Sequence, residues 1–156
     1  LRPTNNYGVG QYTEKLIPKA IKYLGLGKKI PLHNNGDPIR NWLHAQDTAN
    51  AVLTIIESKV KNEIYNICGG FEQSNWDTVS KLIKTMGKDV NIYLSPGEII
   101  GEDFSDYLDL NYSRQGQDVR YALNDSKLRL LGWKPKMIFD NELPNIIDYY
   151  KTNFIW

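Results

Sequence analysis

From Glu14 onward the apolar residues Leu16, Ile17, Ala20, Ile21 and Leu24 recur at steps of three and four, and Gly25 and Gly27 halt the pattern. Such steps stack side chains on one face of a helix, so the spacing predicts an amphipathic helix here. Pro18 falls near its start, where a missing N–H costs little, and Lys15, Lys19 and Lys22 spread over its exposed side. Residues 29–33 read as a strand, residues 34–37 (Asn-Asn-Gly-Asp) as a turn, and residues 41–44 as a second strand. Strand, short turn and strand together predict a hairpin. Asp47 then precedes Ala49, Ala51, Val52, Ile55 and Ile56 at helical spacing and is expected to cap that helix.

Further along, residues 63–67 form a β-rich run closed by Gly69 and Gly70, followed by a helix over about 75–86 and a strand at 90–94. A polar loop over 95–117 comes next, and a stretch that long is expected to cover a site or a partner. A short strand at 119–123 and a helix at 125–131 lead to a last helix from Asp140, with Leu143, Ile146, Ile147, Tyr150 and Phe154 on one face.

The 156 residues allow one domain or a piece of a larger one, and 41% hydrophobic with 24% charged residues lies in the globular range. Lys and Arg total 19 against 18 acidic residues, a net charge of +1 that supplies no broad cationic field for nucleic acid or an anionic membrane surface. Any anion must be met locally. Cys68 is the only cysteine, so no intrachain disulfide and no multi-cysteine zinc site can form; it reads as a small buried residue, and a reducing cytoplasm is the expected compartment. No apolar run approaches the roughly 20 residues that span a bilayer. The chain opens Leu1-Arg2-Pro3-Thr4 without a methionine, as though entering near the end of a strand, and is expected to be a fragment.

For acid–base or nucleophilic chemistry the chain is poor, with two histidines and no Gly-x-Ser-x-Gly or His-Glu-x-x-His motif. Asp47, three residues after His44, could orient that imidazole, but a carboxylate opening an apolar helix is more simply its N-cap. The stronger signal is a set of anion-recognising residues in loops: Asn5-Asn6-Tyr7-Gly8, Lys15 at a helix start, Arg40 after the turn, and Arg114 and Arg120 around Gly116. The planar guanidinium fork suits phosphate oxygens, and a helix N-terminus adds outward N–H groups. Together they point to a diphosphate.

In one collinear order the chain carries Asn5-Asn6-Tyr7-Gly8, Glu14-Lys15-Leu16-Ile17-Pro18, Ile39-Arg40-Asn41-Trp42-Leu43-His44, Tyr65-Asn66-Ile67-Cys68-Gly69-Gly70, Gly116-Gln117-Asp118-Val119-Arg120-Tyr121 and Leu131-Gly132-Trp133-Lys134-Pro135. This set resembles the nucleoside-diphosphate-glucose 4,6-dehydratases of the extended short-chain dehydrogenase/reductase family. The resemblance implies an α/β fold of mixed helices and short strands, the C-terminal substrate-binding portion of a parent with a Rossmann-like NAD-binding half. The glycine-rich dinucleotide loop, the Tyr-x-x-x-Lys pair and the Thr-Asp-Glu dehydration residues of the family belong to that N-terminal half and do not occur here. NAD is therefore expected to be bound mainly by the missing half, the isolated chain to be inactive, and the parent to be a homodimeric lyase.

The resemblance further implies that Asn5, Glu14, Lys15, Leu16, Pro31, His33, Arg40, Asn66, Arg114 and Gln117 bind the nucleotide-sugar, dTDP-glucose or UDP-glucose, with no catalytic residue and no metal ligand in this chain. Four positions depart from the usual pattern: His33 stands where tyrosine often stacks on the base, Gln117 where histidine is common, Gln115 where proline sits, and Cys68 where glycine is common. Some eukaryotic UDP-glucose 4,6-dehydratases resemble the chain in having histidine at the first of these, which leans the base toward UDP. A nucleotide-sugar epimerase or decarboxylase of the same superfamily, and a non-catalytic binding module, are the alternative readings.

Overall fold

The computed structural model describes residues 1–87 and 104–153. The strand expected at 90–94, the first part of the 95–117 loop and Phe154 lie outside the described residues. The expected first helix forms as α1 (Leu16–Gly25), burying Ile17, Pro18, Ala20 and Ile21, and the helix at 75–86 forms as α3 (Asn75–Gly87), burying Val79, Leu82, Ile83 and Met86. The last helix, α5 (Phe139–Thr152), begins one residue earlier than its apolar pattern indicates because Phe139 itself is buried. These three helices pack on one another, and their apolar faces close over Tyr7, Trp42 and Phe71 of the neighbouring sheet.

That sheet is organised around β4 (Ile39–His44). One edge of β4 pairs antiparallel with β6 (Phe71–Ser74), from Ile39↔Ser74 to Trp42↔Phe71. Its other edge is shared end to end by two parallel strands. There β2 (Asn5–Tyr7) runs alongside Trp42–His44, and β8 (Arg120–Tyr121) alongside Ile39 and Arg40. Arg40 therefore sits where three distant segments of the chain meet. A second parallel pair, β1 (Arg2–Pro3) with β5 (Asn66–Ile67), leans on α2 (Ala45–Glu57) and on α4 (Ser126–Arg129) through a smaller core of Leu43, Ala51, Tyr65, Ile67, Leu128 and Trp133. Cys68 is buried and free, as its small size suggested. Among the described residues no helix is long and apolar enough to cross a membrane.

Two local expectations are corrected. Residues 29–33 and 41–44 do not form a hairpin: β3 (Ile30–Pro31) pairs in parallel with β7 (Leu108–Asp109), a partner from the far side of the chain. The turn between the two is real, but Asn34, Asn35 and Gly36 all take positive φ, 49°, 54° and 79°, in a one-turn 3₁₀ element over His33–Gly36. The turn leads from β3 to β4, which belong to different sheets, so it joins two sheets and closes no hairpin. Gly36 is obligatory there, since a Cβ would fall 2.5 Å from Leu32 Cδ2 and 2.9 Å from the Trp76 amide.

The second correction concerns Asp47, which does not cap α2. His44 is the N-cap, its Nδ1 accepting from the Gln46 amide at 3.1 Å. Asp47 lies inside the first turn, 1% exposed, with its two carboxylate oxygens accepting from the backbone N–H groups of Lys136 and Met137 at 3.0 Å each. Both oxygens are taken by main chain, so the carboxylate is not the orienting partner of His44 either. Its role is to fasten the 133–137 segment, whose Trp133 Nε1 also donates to the Asp47 carbonyl at 3.2 Å.

Candidate functional site: a cationic cleft over the ends of β2 and β4

Between the start of α1, the ends of β2 and β3, and the segment before β8 lies a cavity of about 680 Å³. That is within the usual range of small-molecule sites, roughly 300–1,000 Å³. Asn5 and Trp42, level with each other in the parallel register of β2 and β4, belong to its wall, with Arg40 two residues earlier on the same strand. Glu14, Lys15, Leu16 and Lys19 border it where the chain enters α1, and Pro31 and His33 from the end of β3. Arg114 and Gln117 complete the rim.

Of the residues singled out by resemblance, Asn66 alone stands apart from this cavity. It lies on β5, and its Nδ2 donates to the Asn124 carbonyl at 2.9 Å. Arg120 is also elsewhere, in a two-pronged contact with Glu72 across β4: Nε reaches Oε2 at 2.9 Å and Nη2 at 2.8 Å.

The electrostatics are one-sided. Among the described residues, Lys15, Lys19, Arg40 and Arg114 border the cavity against a single carboxylate, Glu14. Lys15 pairs with Glu14 at 3.3 Å, but both side chains are more than half exposed, where such a pair contributes little. Lys15 is also the N-cap residue of α1, and its side chain, a donor only, makes no cap hydrogen bond to the helix's first amides. The two arginines differ. Arg40 Nη1 donates to the carbonyls of Ile39 at 2.8 Å and Asp118 at 3.0 Å, so part of its fork holds the β4–β8 junction. The Arg114 guanidinium has no protein partner among the described residues. His33 meets the Tyr112 ring edge to face, centroids 5.6 Å apart at 73°, and its Nδ1 is buried without a hydrogen-bond partner among the described residues, as is Trp42 Nε1.

Sequence reasoning passed over Lys19 and Trp42 as site residues, and read Asn34 only as a turn residue. Lys19 was within reach, being one helical turn beyond Lys15 on the same face. Asn34 had no local signal, because its partners are 80 residues away.

The comparisons agree with this architecture. A dTDP-glucose 4,6-dehydratase of Streptomyces venezuelae, solved with NAD and TYD bound, superposes with a TM-score of 0.82 at 31% identity, over 97% of this chain and 43% of that one. A UDP-glucuronic acid 4-epimerase of Bacillus cereus, at 22% identity and a TM-score of 0.79, shares the fold. The architecture is thus a portion of the extended short-chain dehydrogenase/reductase fold. In sequence, a dTDP-glucose 4,6-dehydratase of Escherichia coli is 36% identical over 154 residues, and a dTDP-D-glucose 4,6-dehydratase of Bos taurus 37% over 153. The model of the NAD dependent epimerase/dehydratase family matches residues 1–68. The two dehydratase alignments take in 98% of this chain but only 41% of each relative, so the chain spans about two-fifths of the curated relatives' length.

Proposed function

We propose that the chain is the nucleotide-sugar-binding, C-terminal portion of a nucleoside-diphosphate-glucose 4,6-dehydratase. One observation carries the reading: residues as far apart in sequence as Asn5, Lys15, His33, Arg40 and Arg114 border a single cleft with a large excess of positive charge. An elongated dianion with a ring at one end and a sugar at the other suits it. Arg114, the unpaired part of the Arg40 fork and the two lysines would meet the diphosphate, each charge-assisted bond contributing about 1.5–3 kcal/mol. Asn5 offers a neutral donor and acceptor for sugar hydroxyls, and the His33 ring a face or edge for the base.

The dehydratase reaction of such a parent oxidises C4 of the glucose with NAD, eliminates water across C5 and C6, and returns the hydride to C6. The residues described here do not fit a dinucleotide. After β2 come Gly8 and Gly10, but Thr13, buried, stands where a third glycine would be, and five residues separate Gly10 from α1. The tight glycine turn opening directly into a helix is what brings backbone N–H groups to a pyrophosphate. In this reading NAD is bound mainly by the remainder of the parent, a homodimeric cytoplasmic enzyme, and the contribution of this chain is to bind and orient the nucleotide-sugar. Calorimetric titration of the 156-residue chain tests the reading. UDP or dTDP should bind, NAD should not, and no turnover of dTDP- or UDP-glucose should appear; failure of both nucleotides to bind, or turnover by the chain alone, would overturn it.

A further inference from the structure

The segment carrying Arg114 and Gln117 is almost wholly exposed from 110 to 116, which leaves open what holds it at the cleft. Asn34 does. Its Oδ1 accepts from the Arg114 amide at 2.9 Å, while its Nδ2 donates to the Arg114 carbonyl and to Gln117 Oε1, both at 3.2 Å. Its own amide donates to the Tyr112 carbonyl at 2.9 Å. One side chain thus grips both main-chain polar groups of Arg114, as a neighbouring strand would, and reaches the Gln117 amide as well. The backbone of Asn34 has φ 49°, a left-handed conformation that asparagine tolerates better than most residues with a Cβ. Conformation and clasp therefore select the same residue.

We propose that Asn34 is a positioning residue for the anion: it acts through Arg114, fixing the segment so that the guanidinium is held at the cleft before a ligand arrives. The inference rests on the nucleotide-sugar reading and adds to it the group that preorganises the diphosphate contact. Without the clasp, binding would have to order an exposed loop as well as neutralise charge, and that ordering opposes affinity. The His33–Tyr112 edge contact ties the same segment beside the clasp, so the ring and the arginine are held as one unit.

Asn34→Gly is the discriminating variant, because glycine keeps the left-handed backbone without strain and removes only the side-chain bonds. In the unliganded chain, hydrogen exchange at the Arg114 amide should accelerate by about tenfold while exchange in α1 and α3 stays unchanged. UDP affinity should fall by about fivefold to tenfold, with a much smaller loss when Asn34→Gly is made in an Arg114→Ala background. Unchanged Arg114 exchange would overturn the clasp. Accelerated exchange with unchanged UDP affinity, or a loss that adds fully to that of Arg114→Ala, would overturn the positioning role. If the unaltered chain bound no UDP, the nucleotide-sugar reading would fall and the ligand role of Asn34 with it, and the exchange measurement, made without ligand, separates that outcome from failure of the clasp.

Discussion

Gly69 lies directly against the main chain of Trp42: a Cβ on Gly69 would fall 1.8 Å from the Trp42 carbonyl oxygen. This close approach backs the β1–β5 pair onto β4, the strand that carries Arg40. Asn41 reinforces it, its buried Oδ1 accepting from the Gly69 amide at 2.9 Å and from Thr4 Oγ1 at 3.1 Å. The approach to Trp42 leaves no room for a methyl group. Gly69→Ala is expected to destabilise the fold by about 1–3 kcal/mol or more, read as a lower denaturant midpoint at unchanged slope. A midpoint equal to that of the parent chain would show that β5 can retreat from β4 at no cost.

The two arginines of the cleft should separate by their effects. Arg114→Ala removes a guanidinium with no protein partner among the described residues, so nucleotide-sugar affinity should drop by about 1.5–3 kcal/mol with the melting temperature unmoved. Arg40→Ala also deletes the bonds to Ile39 and Asp118 and should lower both. Parallel titrations and thermal melts check this, and equal melting losses in the two variants would contradict it.

His33 is the position on which base preference turns. Its ring offers less apolar surface than tyrosine and a polar edge, and its Nδ1 has no protein partner among the described residues. Replacing it by tyrosine should move the ratio of dTDP to UDP affinity toward dTDP, whose methyl group rewards a larger apolar face. Competition titrations of the chain and His33→Tyr read the ratio directly. An unchanged ratio would remove His33 from the base contact.

Tyr7 sets an alkaline limit. It is 3% exposed, and burial, followed by the carboxylates of Glu142, Asp47 and Asp140, pushes its phenol well above the ordinary value of 10.0. Because the folded state resists deprotonation, the stabilisation is complete below about pH 10, where both states are protonated, and is lost as pH rises and the unfolded chain ionises first. Tyr150, also raised by burial, adds in the same direction. The denaturation midpoint should therefore decline above that pH, and decline less steeply in Tyr7→Phe; identical slopes would assign the alkaline loss to other groups.

The helices α1, α3 and α5 were legible because their signals are local: apolar residues at three- and four-residue steps create the face that must be buried, whatever it meets. The turn at Asn34-Asn35-Gly36 was legible for a similar reason, since those residue types tolerate positive φ. The order of motifs was enough to indicate the family and most of the residues that border the cleft. What the turn connects was not legible. A strand of two residues such as β3 carries no information about its partner, and Ile30 pairs with Leu108 only because the long loop returns there. Asp47 looks like a cap in sequence because a carboxylate before an apolar run satisfies helix amides, yet in the fold nearer demand comes from the amides of Lys136 and Met137, about 90 residues away. The same holds for Asn34 and Arg114, and for the absence of Asn66 from the cleft its motif suggested. Periodicity and turn chemistry are properties of neighbouring residues and can be read along the chain, whereas hydrogen-bond partners are settled by which distant segments the packed core brings within 3 Å, and that is decided only when the whole chain has folded.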